Sequence, residues 1–84
     1  MSKRYNDPIT VSGGDEAPRS FIWRGRSYRV CGILQMWREK RALRQTVEDK
    51  THIMVEAVCK EQAGIYELCF ERTGGHWFMT KVVD

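Results

Sequence analysis

Hydrophobic and polar residues alternate in the stretch FIWRGRSYRV, which begins at Phe21. A tight turn at Arg24–Gly25 would pair Phe21 with Tyr28 and Trp23 with Arg26 across two short strands. Glycine suits such a turn because the turn commonly needs a positive φ. In this hairpin the Arg26 guanidinium would lie near the Trp23 ring, where it can stack on the indole.

The last third of the chain predicts a three-stranded meander, because its apolar residues fall on one face when it is folded at two loops. A four-residue loop at 61–64 places Cys59, Ala57 and Val55 opposite Tyr66, Leu68 and Phe70. A second loop at 72–75 places Phe70 and Leu68 opposite Trp77 and Met79. A slip of one residue would move these side chains to the other face, so the alternation favours this folding.

Between these two regions the period of the apolar residues changes. The residues at helical spacing are Ile33, Met36, Trp37, Lys40 and Leu43. The surrounding stretch contains many good helix formers and no proline, so a short helix is predicted within Leu34–Gln45. The fold class predicted is mainly β (α+β): a small curved antiparallel sheet or barrel-like meander of five to six strands, with that one helix.

Eighty-four residues suit one domain with a modest core. Residues 1–18 are polar and rich in turn formers, and they predict a flexible N-terminal segment with one possible short strand at 9–11. Residues 19–84 are expected to form the single globular domain.

Charge is distributed unevenly within the net charge of +3. Residues 1–20 are neutral, residues 21–50 carry +5 and residues 51–84 carry −2. Such a charge dipole can steer an anionic partner to one side of the molecule, or let two copies meet head to tail. The candidate binding residues are the bases Arg24, Arg26, Arg29, Arg38, Lys40, Arg41 and Arg44. They form either a solvated hairpin and helix surface or a surface that meets phosphate or acidic protein.

No motif in the sequence predicts catalysis. The phosphate-binding loop, the nucleophile elbow and the zinc-binding His-Glu-x-x-His are absent from the sequence. Cys31, Cys59 and Cys69 have no metal-ligand spacing and are expected to be reduced thiols. We therefore expect no catalytic residue, no metal site and no cofactor. The sequence has no apolar run that could span a bilayer and no secretory signal, which predicts a cytoplasmic protein without membrane contact.

Several separated motifs resemble a small bacterial family of domains of unknown function. They are P-x-x-F-x-W-R-G-R-x-Y-x-V from Pro18 to Val30, G-x-Y-E-L-x-F from Gly64 to Phe70, and the terminal V-V-D ending at Asp84. Domains of the family that this chain resembles are seen as short stand-alone proteins. Similar domains are also found at the C-terminal end of some Y-family polymerase-like proteins. The resemblance implies a DNA repair or mutagenesis setting but supplies no residue with a known role.

Two functions follow as hypotheses. The first is a non-catalytic binding module that contacts a protein partner, of polymerase-like kind if the resemblance holds. The alternative is nucleic-acid binding through the basic hairpin and helix. Either role fits a monomer or a weak homodimer.

Overall fold

Six antiparallel strands form a closed barrel in a computed structural model that describes residues 3–14 and 17–83. In chain order the strands are β1 (Lys3–Gly13), β2 (Pro18–Trp23), β3 (Arg26–Ala42), β4 (Val47–Cys59), β5 (Gln62–Glu71) and β6 (His76–Val83). Each strand pairs with the next one in sequence, and β1 closes the barrel against β6. The expectation of a mainly β, barrel-like meander is thus confirmed.

Alternation along the strands fills the barrel interior with apolar side chains. The largest fully buried side chains are Phe21, Ile53, Leu68, Met79 and Val55. The Phe21 and Tyr28 rings stack at a centroid distance of 4.8 Å with planes 6° apart. Burial of each large apolar side chain contributes about 1.5–3 kcal/mol, so this interior is the main source of the fold's stability.

The predicted helix within Leu34–Gln45 is wrong, because β3 continues as a strand to Ala42 and no helix occurs in the described part of the chain. The register of β3 against β4 shifts twice, between Val30 and Gly32 and between Ile33 and Gln35. A β-bulge inserts one residue into a strand, so residues three apart across it point to the same face. The helix-like spacing of Ile33 and Met36 therefore comes from a bulge.

Strand pairing confirms two of the three predicted hairpin registers. Phe21 lies opposite Tyr28 in the β2–β3 hairpin, and Phe70 lies opposite Trp77 in the β5–β6 hairpin. The predicted β4–β5 register is wrong, because Cys59 pairs with Gln62 across a two-residue turn instead of with Tyr66 across a longer loop. The partners are displaced by four positions, and an even displacement leaves every side chain on its predicted face.

Strand β1 lies within residues 1–18, for which the sequence predicts a flexible segment with a short strand at 9–11. The strand is longer than that, and it pairs with β2 on one side and β6 on the other. Residues 1–2 and 15–16 of the same segment lie outside the described residues. The flexibility of the segment and the boundary of the domain at residue 19 stay predictions.

Candidate interaction surface

Strand β3 is much longer than its neighbour β2, with 17 residues against 6. Pairing between them runs only from Ser20 opposite Arg29 to Trp23 opposite Arg26. Farther along β3, residues 31–42 have β4 on one side, and no described strand pairs with their other side. We call this unpaired side of residues 31–42 the β3 edge. It presents backbone donors and acceptors that another strand can use.

Exposed apolar side chains concentrate along and beyond this edge. Among the described residues, the large hydrophobic side chains with exposed fractions of 42–53% are Ile22, Ile33, Leu34, Met36, Leu43 and Val47. All of these except Ile22 belong to β3, to the β3–β4 turn or to the first residue of β4. Ile33 and Met36 lie opposite Val55 and Ile53, which are fully buried, so they continue the interior apolar surface outwards.

The hairpin of β3 and β4 extends beyond the end of β5. Pairing of β4 with β5 begins at Lys50, which lies opposite Glu71, so we call residues 40–49 the arm. The loop after β5 hydrogen-bonds to the β4 side of the arm: the backbone N–H of Arg72 donates to the carbonyl oxygen of Asp49 at 2.8 Å, and Thr73 Oγ1 donates to that of Val47 at 3.2 Å. These contacts leave the β3 edge unpaired among the described residues.

An intramolecular ion pair at the base of the arm involves Arg38, one of the predicted binding residues. Arg38 donates to Asp49 through Nε at 2.9 Å and through Nη2 at 2.6 Å. This bidentate contact is the main reason why the pKa of Asp49 lies below its usual value, with further lowering by the charges of Arg72 and Lys40. Arg38 is thus engaged with the fold itself.

A second intramolecular ion pair, between Asp7 and Arg24, lies at the opposite end of the barrel. Asp7 accepts hydrogen bonds from the Trp23 indole at 3.0 Å and from Arg24 Nε at 3.1 Å. The indole contact is the largest cause of the lowered pKa of Asp7. The sequence predicts that Arg26 stacks on the Trp23 ring, but it is the Arg24 guanidinium that lies 4.9 Å from the centroids of both Trp23 and Tyr5.

The seven candidate bases do not form one cluster. Arg26 and Arg41 are fifteen residues apart along the same strand, which at about 3.3 Å per residue separates them by roughly the long dimension of the molecule. That dimension is 45 Å, against 27 and 22 Å for the others. One group lies towards the β2–β3 turn and comprises Arg24, Arg26 and Arg29. The other lies on the arm and beside it and comprises Arg38, Lys40, Arg41 and Arg44.

A polar cluster on the outer face of the barrel was missed by the sequence reasoning. The His52 ring stacks on Trp37 at 5.2 Å with planes 11° apart. Its Nε2 lies 3.6 Å from Glu39 Oε1, and its Nδ1 lies 3.9 Å from Glu67 Oε2. That Nδ1 is buried without a hydrogen-bond partner among the described residues. Only the β3–β4 pairing brings Trp37 to His52, so a helix prediction for this stretch hid the cluster.

A surface pocket of about 350 Å³ adjoins this cluster. It is lined by Arg4, Tyr5, His52, Glu67, Thr80 and Lys81. Thr80 Oγ1 donates to Glu67 Oε2 at 2.8 Å, which fixes the carboxylate against the pocket wall. In the described part of the chain, no group of three or more His, Cys, Asp and Glu side chains is arranged to hold a metal ion.

A family model described as Domain of unknown function (DUF6504) matches residues 1–84. The chain belongs to that family. No curated protein and no solved structure matches it. Among the described residues, no helix is long and apolar enough to cross a membrane.

Proposed function

We propose that this protein is a non-catalytic binding module that receives a protein partner along the β3 edge. One observation carries the proposal: residues 31–42 combine an unpaired strand edge with exposed apolar side chains, in a barrel whose other strand pairings close the sheet. Closure of a barrel normally removes edges. An edge that remains can bind an extended segment of another protein through main-chain hydrogen bonds, with the neighbouring side chains setting the specificity.

The packing of the core supports a role for this edge in binding, because the core is formed without the residues of the edge. The buried cluster draws its side chains from β2, from the start of β3 and from β4, β5 and β6, and it includes none of residues 31–42. The exposed apolar residues of β3 therefore add little to the stability of the isolated barrel. Their burial by a partner would remove from water the apolar surface that folding leaves uncovered.

A photo-crosslinking experiment tests the proposal with a matched control. A photoreactive amino acid replaces Leu34 on the β3 edge in one variant and Ile22 on β2 in the other, since these side chains are 53% and 51% exposed. In cells that naturally make the protein, the Leu34 variant should crosslink to a discrete protein that the Ile22 variant does not capture. Equal crosslinking from both positions, or crosslinking of the Leu34 variant to nucleic acid alone, would contradict the proposal.

Nucleic-acid binding is the second candidate, and the exposed bases of the arm favour it. Lys40, Arg41 and Arg44 are all exposed, and Glu39 is the single acid between residues 31 and 44. Binding of this kind should weaken steeply between about 50 and 200 mM salt, since it releases counterions from the phosphates. Titration into labelled single-stranded DNA, duplex DNA and RNA measures it, and the K40E/R41E variant should lose most of any affinity. Affinity that does not change with salt would exclude this candidate.

The setting of either function rests on sequence resemblance. Similarity to domains attached to Y-family polymerase-like proteins of bacteria supports a partner in DNA repair or mutagenesis, and a polymerase-like protein is the first partner to test. The cytoplasmic location stays a prediction from the sequence.

A further inference from the structure

The β3 edge changes character along its length. Its first part carries the exposed apolar side chains of Ile33, Leu34 and Met36. Its last part carries Lys40 and Arg41, and the turn that follows carries Arg44. A segment that pairs with this edge therefore meets an apolar surface at one end and a basic surface at the other.

The basic part of the edge carries more positive charge than its local acids can balance. Asp49 lies opposite Lys40 in the β3–β4 pairing, but its carboxylate binds Arg38 at 2.6 Å and lies 3.9 Å from Arg72. Glu48 lies opposite Arg41, but residues 38–50 of the hairpin as a whole contain five bases and three acids. Two copies of this chain paired antiparallel along the edge would place the basic end of each beside the apolar end of the other. Lys40 and Arg41 would then face no acid, so charge complementarity favours a different, acidic occupant.

The position of β2 indicates the direction of that occupant. β2 runs antiparallel to β3, and its pairing begins with Ser20 opposite Arg29, immediately before the unpaired part of β3. A segment that continues the same row of the sheet in the same direction runs antiparallel to β3 as well. Its first residues then lie beside the basic end of the edge and its last residues beside the apolar end.

We propose that the β3 edge is a strand-addition site for an extended acidic segment of a partner protein. The segment runs antiparallel to β3, with acidic residues in its first half beside Lys40 and Arg41 and apolar residues in its second half beside Met36 and Ile33. This inference rests on the proposed function and specifies the chemistry of the partner.

Synthetic peptides test the order of charge and apolarity directly. The probe is a fluorescein-labelled ten-residue peptide in which Asp and Glu alternate with Thr in the first half, and Val and Ile alternate with Thr in the second half. One control peptide has the two halves exchanged, and another has Lys in place of every acid. Fluorescence polarisation should show at least about ten-fold tighter binding of the probe than of either control. A ten-fold difference in affinity corresponds to about 1.4 kcal/mol.

Three protein variants and one hydrogen-exchange measurement locate the binding. The K40E/R41E variant should weaken binding of the probe about ten-fold, because two attractive exposed charge pairs become repulsive. Leu34→Asp should weaken it as well, whereas Ile22→Asp on β2 should leave it unchanged. Amide hydrogen exchange within residues 31–42 should slow when the probe binds, as expected for new main-chain hydrogen bonds.

Several results would overturn this inference. They are equal binding of the probe and the exchanged peptide, undiminished binding by K40E/R41E, and unchanged hydrogen exchange at residues 31–42. Sedimentation showing a dimer that Leu34→Asp dissociates would also overturn it, because a second copy would then occupy the edge. If Leu34 crosslinks to a protein in cells while the acidic probe fails to bind, this inference is wrong and the proposed function stands.

Discussion

The turn between β4 and β5 provides a direct test of the strand register. Cys59 pairs with Gln62, so only Lys60 and Glu61 form the turn, and their φ angles are 49° and 70°. Positive φ at both central residues defines a type I′ turn, which strongly prefers Asn-Gly. The left-handed conformation costs residues with ordinary side chains about 1–2 kcal/mol each, and glycine avoids this cost.

The double variant Lys60→Asn with Glu61→Gly should therefore stabilise the protein. Glycine reduces this gain in stability by about 0.5–1 kcal/mol, because it loses more conformational entropy on folding than other residues do. The expected net gain is about 1–2 kcal/mol, because both side chains are exposed and leave no cavity when they are replaced. In a domain of this size, about 1 kcal/mol raises Tm by roughly 4–8 °C.

Urea unfolding followed by tryptophan fluorescence measures the change in the free energy of unfolding. The control replaces both residues with alanine, which keeps a Cβ at each left-handed position and should bring no comparable gain. A neutral or destabilising result for the Asn-Gly variant would refute the two-residue turn. It would favour instead the four-residue loop that the sequence pattern predicts.

Three further predictions concern the backbone, the ion pair of the arm and the arm itself. Gly25→Ala should destabilise the protein by about 1 kcal/mol through backbone strain alone, whereas Gly32→Ala should be neutral or stabilising. Both positions have open space around an added Cβ, but only Gly25 has a positive φ, at 75°; urea unfolding compares them. At pH values above the usual carboxyl pKa of 3.8, Asp49→Asn should lower the free energy of unfolding. The difference in stability between this variant and the unchanged protein should vanish as the pH falls through the lowered pKa of Asp49 in the folded state. Replacement of residues 41–48 by Asn-Gly should leave the barrel folded, as judged by circular dichroism, and should weaken binding of the acidic probe peptide. An unfolded product would refute the inference that the barrel folds without the arm.

The faces of the strands can be predicted from the sequence more reliably than their partners. Alternation in β4 and β5 places Val55, Leu68 and Phe70 on the interior face, and all three are buried. The predicted register was nevertheless displaced by four positions, because alternation fixes a register only to within an even number of residues. Selecting among the even registers requires the turn, and Lys-Glu at 60–61 is not a common sequence for a two-residue turn.

The course of β3 could not be predicted from periodicity. The stretch is rich in good helix formers, and the bulge between Ile33 and Gln35 gives its apolar residues a spacing of three. Pairing with β4 overrides that preference, because β4 supplies a long run of partners rich in β-branched residues from Val47 to Val58. The helix prediction failed because the pairing is a long-range property of the chain.

The same error explains why the binding residues were predicted as one group. A helix after residue 34 would fold Arg38, Arg41 and Arg44 back towards the hairpin that carries Arg24 and Arg26. An extended β3 instead carries them away from it by about 3.3 Å per residue. The length that separates the bases also takes β3 past the start of β2 at Pro18, and this mismatch leaves its edge unpaired. Separated bases and an open edge are thus two consequences of one long strand, so a ligand of the arm meets backbone, apolar side chains and positive charge together.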